Sequence, residues 1–410
     1  ANTLKFGAGE WATKKGSTLA YNSENGNFKP LPFTFDRSTS ATRVNKEGLI
    51  EVVPNNEPRI DFLNDSKGAL LLEPSRSNQI FYSEDFTQSA WVKTRVDVTT
   101  DDILNPKGVN SSFKITSNNT SESFIQQPPS SVSGSKQTFS FFIKKGNTDF
   151  CHITLFDGGA NGFRQWINLN DFTLGSNVVF GSGFTLDNTT IKNYGNGWYR
   201  VLIVINNSGS TVFSRINISN TDANNGSSIG SYIYVDMVQF ENESYATSYI
   251  PTQGSIGTRV AEDIALTLPD DASFNSVNGF SIYGEFLTNG GGGTSNSFIQ
   301  FNGNVGYVGF GSNGSTWRSR INNGTLNELH TSSASIFQNG KLATSFNNSG
   351  FSMYANGNSF ASGNTDISAI TSIDTVIFRD STEEFGSMRI KELKLYNTRL
   401  TNSELQQLTS

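Results

Sequence analysis

One cysteine, two histidines and three methionines among 410 residues leave few groups for nucleophilic, redox or metal chemistry. The lone Cys151 excludes an internal disulfide, so stability has to come from packing or association. No Cys/His cluster is present for zinc. Only 16% of the residues are charged, and the net charge of -6 is spread without blocks of one sign. No basic stripe could neutralise phosphates, which argues against nucleic-acid binding. No apolar run approaches the length of a bilayer-spanning helix, and membrane insertion is not expected. A β-helix repeat is missing as well.

What the chain does hold is aromatic. Its 32 Phe, 12 Tyr and 5 Trp bury large areas per residue and can build cores in a chain poor in Leu and Ala. Low charge combined with many aromatics is not the composition of a disordered chain. β-Branched residues and turn formers abound, helical patterning is rare, and the length predicts two or three domains. The expectation is an all-β protein: two β-sandwich or jelly-roll domains in tandem, preceded by an extended N-terminal region.

Residues 1–76 are punctuated by Pro and Gly, with Phe33 and Phe35 alternating and Leu49, Ile50, Val52 and Val53 in a short run. Such a segment has too few long strands for a core of its own. It is expected to lie against a neighbouring domain, a sister chain or a larger assembly. Residues 77–256 read as the first sandwich. Cys151, Ile153 and Leu155 share one strand face, with His152, Thr154 and Phe156 on the other. In the next strand Phe163, Gln165, Ile167 and Leu169 form the inward set, leaving Arg164 and Trp166 opposite. The apolar run from Tyr232 reads as a strand buried in the middle of the sandwich. The Thr/Ser/Gly/Pro segment after it marks the exit into residues 257–410, the second sandwich. There Asn356-Gly357 signals a hairpin tip, and a phase shift between Ile390 and Leu393 predicts a bulge. Thr401 and Glu404 make a capping box that opens the one expected helix.

The block FTFDRSTSATRVNKEGLIEVVPNNEPRIDF, with GALLLEPSRSNQIFYSEDFTQSAWVK after it, resembles virion proteins of tailed bacteriophages, of the head-spike, head-fibre and tail-fibre kind. GNGWYRV and YVDMVQFENESYATSYIPTQGSIGTRVAED resemble the carbohydrate-binding-module-like sandwich of such proteins. FSMYANGN and MRIKELKLYNTRLTNSELQQL resemble a concanavalin-A-like (laminin-G-like) jelly roll. Together these pieces cover nearly the whole chain, although the two sandwich signatures bear on fold more than on role. The resemblance implies a non-enzymatic, adhesive subunit on the exterior of a phage particle, assembled as a homotrimer. Its N-terminal region would join other virion proteins, and its distal sandwiches would face host-surface glycans. It carries no catalytic motif over to this chain.

Adjacent strand residues point to opposite faces, so Cys151 and His152 do not form a nucleophile–base couple. Cys151 reads as a small core hydrophobe, and His330, in a polar loop, as a solvated surface residue. The E-x-D-x-x-E pattern of jelly-roll glycosidases is absent, and Glu383-Glu384 and Asp270-Asp271 are merely adjacent acids. No cofactor is expected, with a calcium ion at Asp157 or Asp380 as the alternative. Glycan binding calls for aromatic faces that stack on sugar rings beside groups that bond hydroxyls. Two platforms qualify: His152, Arg164 and Trp166 on the first sandwich, and Tyr307, Trp317, Arg318 and Arg320 on the second. Core burial competes for Trp317, which shares a strand face with Ile321. A secreted polysaccharide-binding protein, or the binding portion of a depolymerase, is the alternative to the virion subunit. A purely structural capsid decoration is the third reading.

Overall fold

The computed structural model describes residues 3–9, 11–15, 17–22, 27–207, 209, 211–268, 275–288, 297–312, 317–325, 327–331, 339–378 and 387–410. Apart from the helix Asn402–Thr409, the regular structure of the described residues is β-strand throughout, and the fold is all-β. The chain forms two compact units. One comprises Ala1–Lys46, Val52–Ser75 and Val260–Ser410, the other Glu47–Glu51 and Arg76–Arg259. Along the sequence, the second unit is therefore an insertion in the first.

The leading residues, expected as an extended region ahead of two tandem sandwiches, instead supply strands to the unit that holds residues 260–410. Thr3–Gly7 and Ala69–Leu72 each pair antiparallel with Met388–Tyr396. Asn27–Asp36 pairs with Asp263–Thr267. The cause is apolar burial. Phe33, Phe35, Ile60, Leu70 and Leu72 are too few to close a core, but they join one with Ile264, Leu266, Ile282, Phe286, Leu393 and Leu395.

In this unit one strand path runs Thr3–Gly7, Met388–Tyr396, Phe280–Thr288, Asn339–Asn347, Gly350–Ala355, Asn358–Gly363. A second runs Asn27–Asp36, Asp263–Thr267, Ile373–Ile377, Ser297–Gly303, Tyr307–Ser312, Trp317–Asn322, Asn327–Thr331. Ile282, Leu342 and Leu395 from the first and Ile299, Val308 and Val376 from the second belong to one core. The local signals of the sequence appear where expected. The register of Phe280–Thr288 slips between Glu392 and Ile390, which makes Lys391 the bulged residue. Asn356 and Gly357 both have positive φ, 47° and 78°, at their hairpin tip. Thr401 and Glu404 bond each other's backbone N–H at the start of the helix.

Charge is buried where the chain leaves and re-enters this unit. Glu262 Oε1 accepts from Arg37 Nη1 at 3.3 Å and also from Arg59 Nη2. Arg59 Nη1 donates to Glu73 Oε2 at 2.9 Å, and the Glu73 N–H donates to Glu262 Oε2 at 2.8 Å. All four side chains are buried.

The inserted unit is a two-sheet sandwich. One sheet has the order Val96–Leu104, Asn110–Ser117, Tyr232–Glu241, Lys136–Lys145, Trp198–Asn207, Phe184–Asn193. The other has the order Val92–Thr94, Ser123–Gln126, Thr211–Ser219, Phe150–Phe156, Gly162–Asn168, Thr173–Phe180, with Ser130–Ser131 also paired to Thr211–Ser219. Phe139, Phe141, Ile203, Val235 and Phe240 of the first meet Ile125, Ile153, Phe163, Ile167 and Ile216 of the second in one core. Tyr232–Glu241 is an inner strand, as its apolarity predicts. The exit segment after it stays packed on this unit. Tyr245, Tyr249 and Ile250 are buried, Arg200 Nη1 donates to the Thr247 carbonyl, and Gly257–Arg259 pairs with Arg76–Asn78.

Candidate functional site

Strand alternation selects the site. Cys151, Ile153, Leu155, Val212, Ile216 and Ile218 enter the core, so His152, Thr154, Phe156, Phe213, Arg215 and Asn217 occupy the other face of their sheet. Register then sets them in rows across the strands. Phe124, Asn217, His152 and Trp166 form one row. Gln126, Arg215, Thr154 and Arg164 form the next. Phe213, Phe156, Gly162 and Phe180 form the third.

The first predicted platform thus shares one face, and His152 and Trp166 are a cross-strand pair with stacked rings 4.9 Å apart. It is not an open surface. Trp166 is 2% exposed and His152 0%. Trp166 Nε1 donates to the Asn224 carbonyl at 2.9 Å, in the loop that follows Thr211–Ser219. That loop is held by Asp222, whose carboxylate accepts from the Ser176 N–H and hydroxyl, both at 2.8 Å. Arg164 alone of the three stays partly exposed.

The second row carries the charge. The Arg215 guanidinium lies between the rings of Phe124 and Phe156, 4.3 and 4.4 Å from their centroids, and its Nε donates to Gln126 Oε1 at 2.6 Å. The Arg164 guanidinium lies 5.1 Å from the Phe180 centroid, and its buried Nε has no hydrogen-bond partner among the described residues. Glu122 is the acid of this face. Its Oε1 is 3.8 Å from His152 Nε2, and its side chain is 26% exposed. The contact with His152 and the charges of Arg164 and Arg215 hold its carboxyl below the usual range, against the opposing effect of burial. Burial pushes the His152 imidazole down, and the two arginines add to this while Glu122 opposes it. Both His152 ring nitrogens and Asn217 Oδ1 are buried without hydrogen-bond partners among the described residues.

Phe180 reaches this face because its cross-strand neighbour is a glycine. A Cβ on Gly162 would come within 2.5 Å of Phe180 Cζ and 2.6 Å of the Leu155 carbonyl oxygen. Gly162→Ala is therefore expected to displace the Phe180 ring and to destabilise the inserted unit by about 1–3 kcal/mol through overpacking. Denaturant unfolding of the variant checks this, and an unchanged midpoint would contradict it.

The second platform is described in part. Val308 and Ile321, directly opposite each other, are buried, so Tyr307 and Arg320 fall on the outer face of their sheet, and both are half-buried. The side chains of Trp317 and Arg318 lie outside the described residues, as do those of His330 and residues 270, 271, 380, 383 and 384. The backbone of His330 belongs to the strand Asn327–Thr331, opposite Ser319, where a loop was expected. Cys151 is a buried core residue whose thiol pKa is pushed up by burial. Asp157 closes its own loop, accepting from the Gly159 and Asn161 N–H groups and from Asn161 Nδ2. Sequence reading missed Arg215, Phe213, Phe124 and Phe180. Alternation within Thr211–Ser219, where Val212, Ile216 and Ile218 are apolar, leaves Phe213 and Arg215 on the other face, but no local signal shows which strands they join.

No family model matches the chain, and no curated protein matches it. Among solved structures, the chain is similar to the CBM40 of the Ruminococcus gnavus IT-sialidase, bound to alpha2,3 sialyllactose. The match has 18% identity and a TM-score of 0.28, over 33% of this chain and 84% of that one. Domain 4 of AbnA, a GH43 extracellular arabinanase from Geobacillus stearothermophilus solved with arabinotriose, matches with 16% identity and a TM-score of 0.28, over 41% and 84%. The binding domain of botulinum neurotoxin DC, in complex with rat synaptotagmin II, matches with 12% identity and a TM-score of 0.30. That match covers 36% of this chain and 39% of the toxin domain, so this chain spans well under half of it. Likeness at this level assigns no ligand, and the case for one rests on the side chains above.

Proposed function

We propose that this chain is a non-enzymatic adhesive subunit on the exterior of a bacteriophage particle, binding host-surface glycans through the outer face of its inserted sandwich. One observation carries the glycan reading: the sheet face opposite the core holds the half-buried rings of Phe180 and Phe213 beside the guanidinium groups of Arg164 and Arg215, with Phe124 and Phe156 buried against Arg215. The outer face of an antiparallel sheet is ordinarily polar and solvated. Ring faces beside fixed N–H donors are what a sugar, apolar on its ring face and polar at its rim, requires. The non-enzymatic reading rests on the resemblance, which carries no catalytic motif over to this chain.

The particle location, the virion partners and the homotrimer rest on the resemblance of residues 33–62 and 68–93 to phage spike and fibre proteins. Because residues 1–46 and 52–75 belong to a folded unit, attachment to the particle is assigned to that unit rather than to a loose arm. Three linked sites would raise the avidity of a weak site by roughly 10²–10⁴-fold. A glycan array run with the intact chain, alongside light scattering after size exclusion, tests the reading. A trimer that binds a set of glycans is expected. A monomer that binds would favour the secreted polysaccharide-binding protein, and a silent array would end the adhesive reading.

A further inference from the structure

We infer that the ligand of this face is an acidic glycan, with a sugar carboxylate held between Arg164 and Arg215. The inference rests on the proposed glycan-binding reading of the same face. Arg215 and Arg164 stand in one row on either side of Thr154. Their backbones are thus two strand spacings apart, roughly 9.6 Å, a gap that two long side chains can close over a small anion. Like charges in one row repel, and Glu122, the acid of this face, interacts with both guanidinium groups while its Oε1 lies 3.8 Å from His152 Nε2.

The guanidinium groups are also braced by aromatic rings, Arg215 between Phe124 and Phe156 and Arg164 against Phe180. Bracing fixes the planar fork of donors before a ligand arrives, and that fork matches the two oxygens of a carboxylate. With a neutral glycan, one carboxylate, Glu122, would stand against two guanidinium groups among the described residues of this row and the next. In the adjoining row, the buried His152 Nδ1 and Asn217 Oδ1 have no hydrogen-bond partners among the described residues, and neither does Arg164 Nε, whereas His152 Nε2 faces Glu122 Oε1 at 3.8 Å. Buried polar atoms without partners are costly. Of these, Arg164 Nε belongs to the half-exposed row itself, and an oxygen from outside the chain would relieve its cost. Phe180 and Phe213, both half-buried, stand in the adjoining row as the ring-stacking surface.

Titration calorimetry on the intact chain tests this with two classes of carboxylated sugar, trigalacturonate and a sialylated trisaccharide, each against a neutral counterpart, galactotriose and lactose. At least one acidic ligand should bind about tenfold or more tightly than its neutral counterpart, the difference expected for charge-assisted hydrogen bonds. That preference should weaken as salt rises from about 0.05 to about 0.5 M. Arg164→Gln and Arg215→Gln should each cost about tenfold toward the acidic ligand and little toward neutral ones, with Arg164→Lys recovering part of the loss. Arg164 makes few contacts, so its variant should fold even if Arg215→Gln does not. Equal affinity for acidic and neutral sugars, or full acidic affinity in folded Arg164→Gln, would overturn the inference and leave the glycan reading standing. Binding of no sugar at all by the unaltered chain would overturn both.

Discussion

Glu262→Gln is expected to destabilise the unit that contains it by about 3–5 kcal/mol, the usual cost of removing one partner from a buried ion pair. Glu262 receives Arg37 Nη1, Arg59 Nη2 and the Glu73 N–H, and none of these side chains reaches solvent. Among the described contacts, a neutral amide leaves two guanidinium groups facing one acid, Glu73, in a medium that does not solvate charge. It also places an amide nitrogen where donors already converge. The position matters because Glu73 and Glu262 lie just inside two of the crossings of the chain, at Ser75 and Val260. Bridging both acids through Arg59 ties those crossings together within one unit. Denaturant unfolding should show a lowered midpoint for this unit. A variant as stable as the parent would mean that the cluster contributes nothing net.

Asp236→Asn is expected to stabilise the inserted unit at neutral and alkaline pH and to change little near pH 4. Asp236 is buried, and burial, with the charge of Glu84, pushes its carboxyl up to about 8, against the pull of Lys107 and the Met237 N–H. An unfolded aspartate titrates near 3.9. Between roughly 4 and 8 the folded protein therefore holds a proton that the unfolded chain has released, so stability falls as pH rises through that window. At pH 7 the penalty is at most about 4 kcal/mol, three pKa units at 1.36 kcal/mol each. Asparagine carries no such penalty and keeps an oxygen for the Met237 N–H, which now donates to Asp236 Oδ1 at 2.8 Å. Unfolding curves at several pH values should converge at low pH and separate above it. Parallel curves for the two proteins would contradict the assignment.

Local patterns were legible in the sequence because they depend on neighbours a few residues away. The bulge at Lys391, the Asn356-Gly357 turn and the Thr401 cap are of this kind. So is the opposite facing of Cys151 and His152. Long-range partners were not legible. Phe33 and Phe35 alternate like strand residues, yet nothing nearby shows that Asp263–Thr267 will pair with them. The site divides the same way. Alternation placed His152, Arg164 and Trp166 on one face, but the cover over Trp166 comes from Asn224, which is remote in sequence. Arg215 became part of the site only through the pairing of Thr211–Ser219 with Phe150–Phe156.

Hydroxyl-radical footprinting of the intact chain, with and without a saturating amount of the tighter-binding acidic trisaccharide, locates the binding face. Phe180 and Phe213 are expected to lose reactivity on binding while Tyr307 keeps its own. Protection at Tyr307 with Phe180 and Phe213 unchanged would move the binding face to the other unit and contradict this expectation.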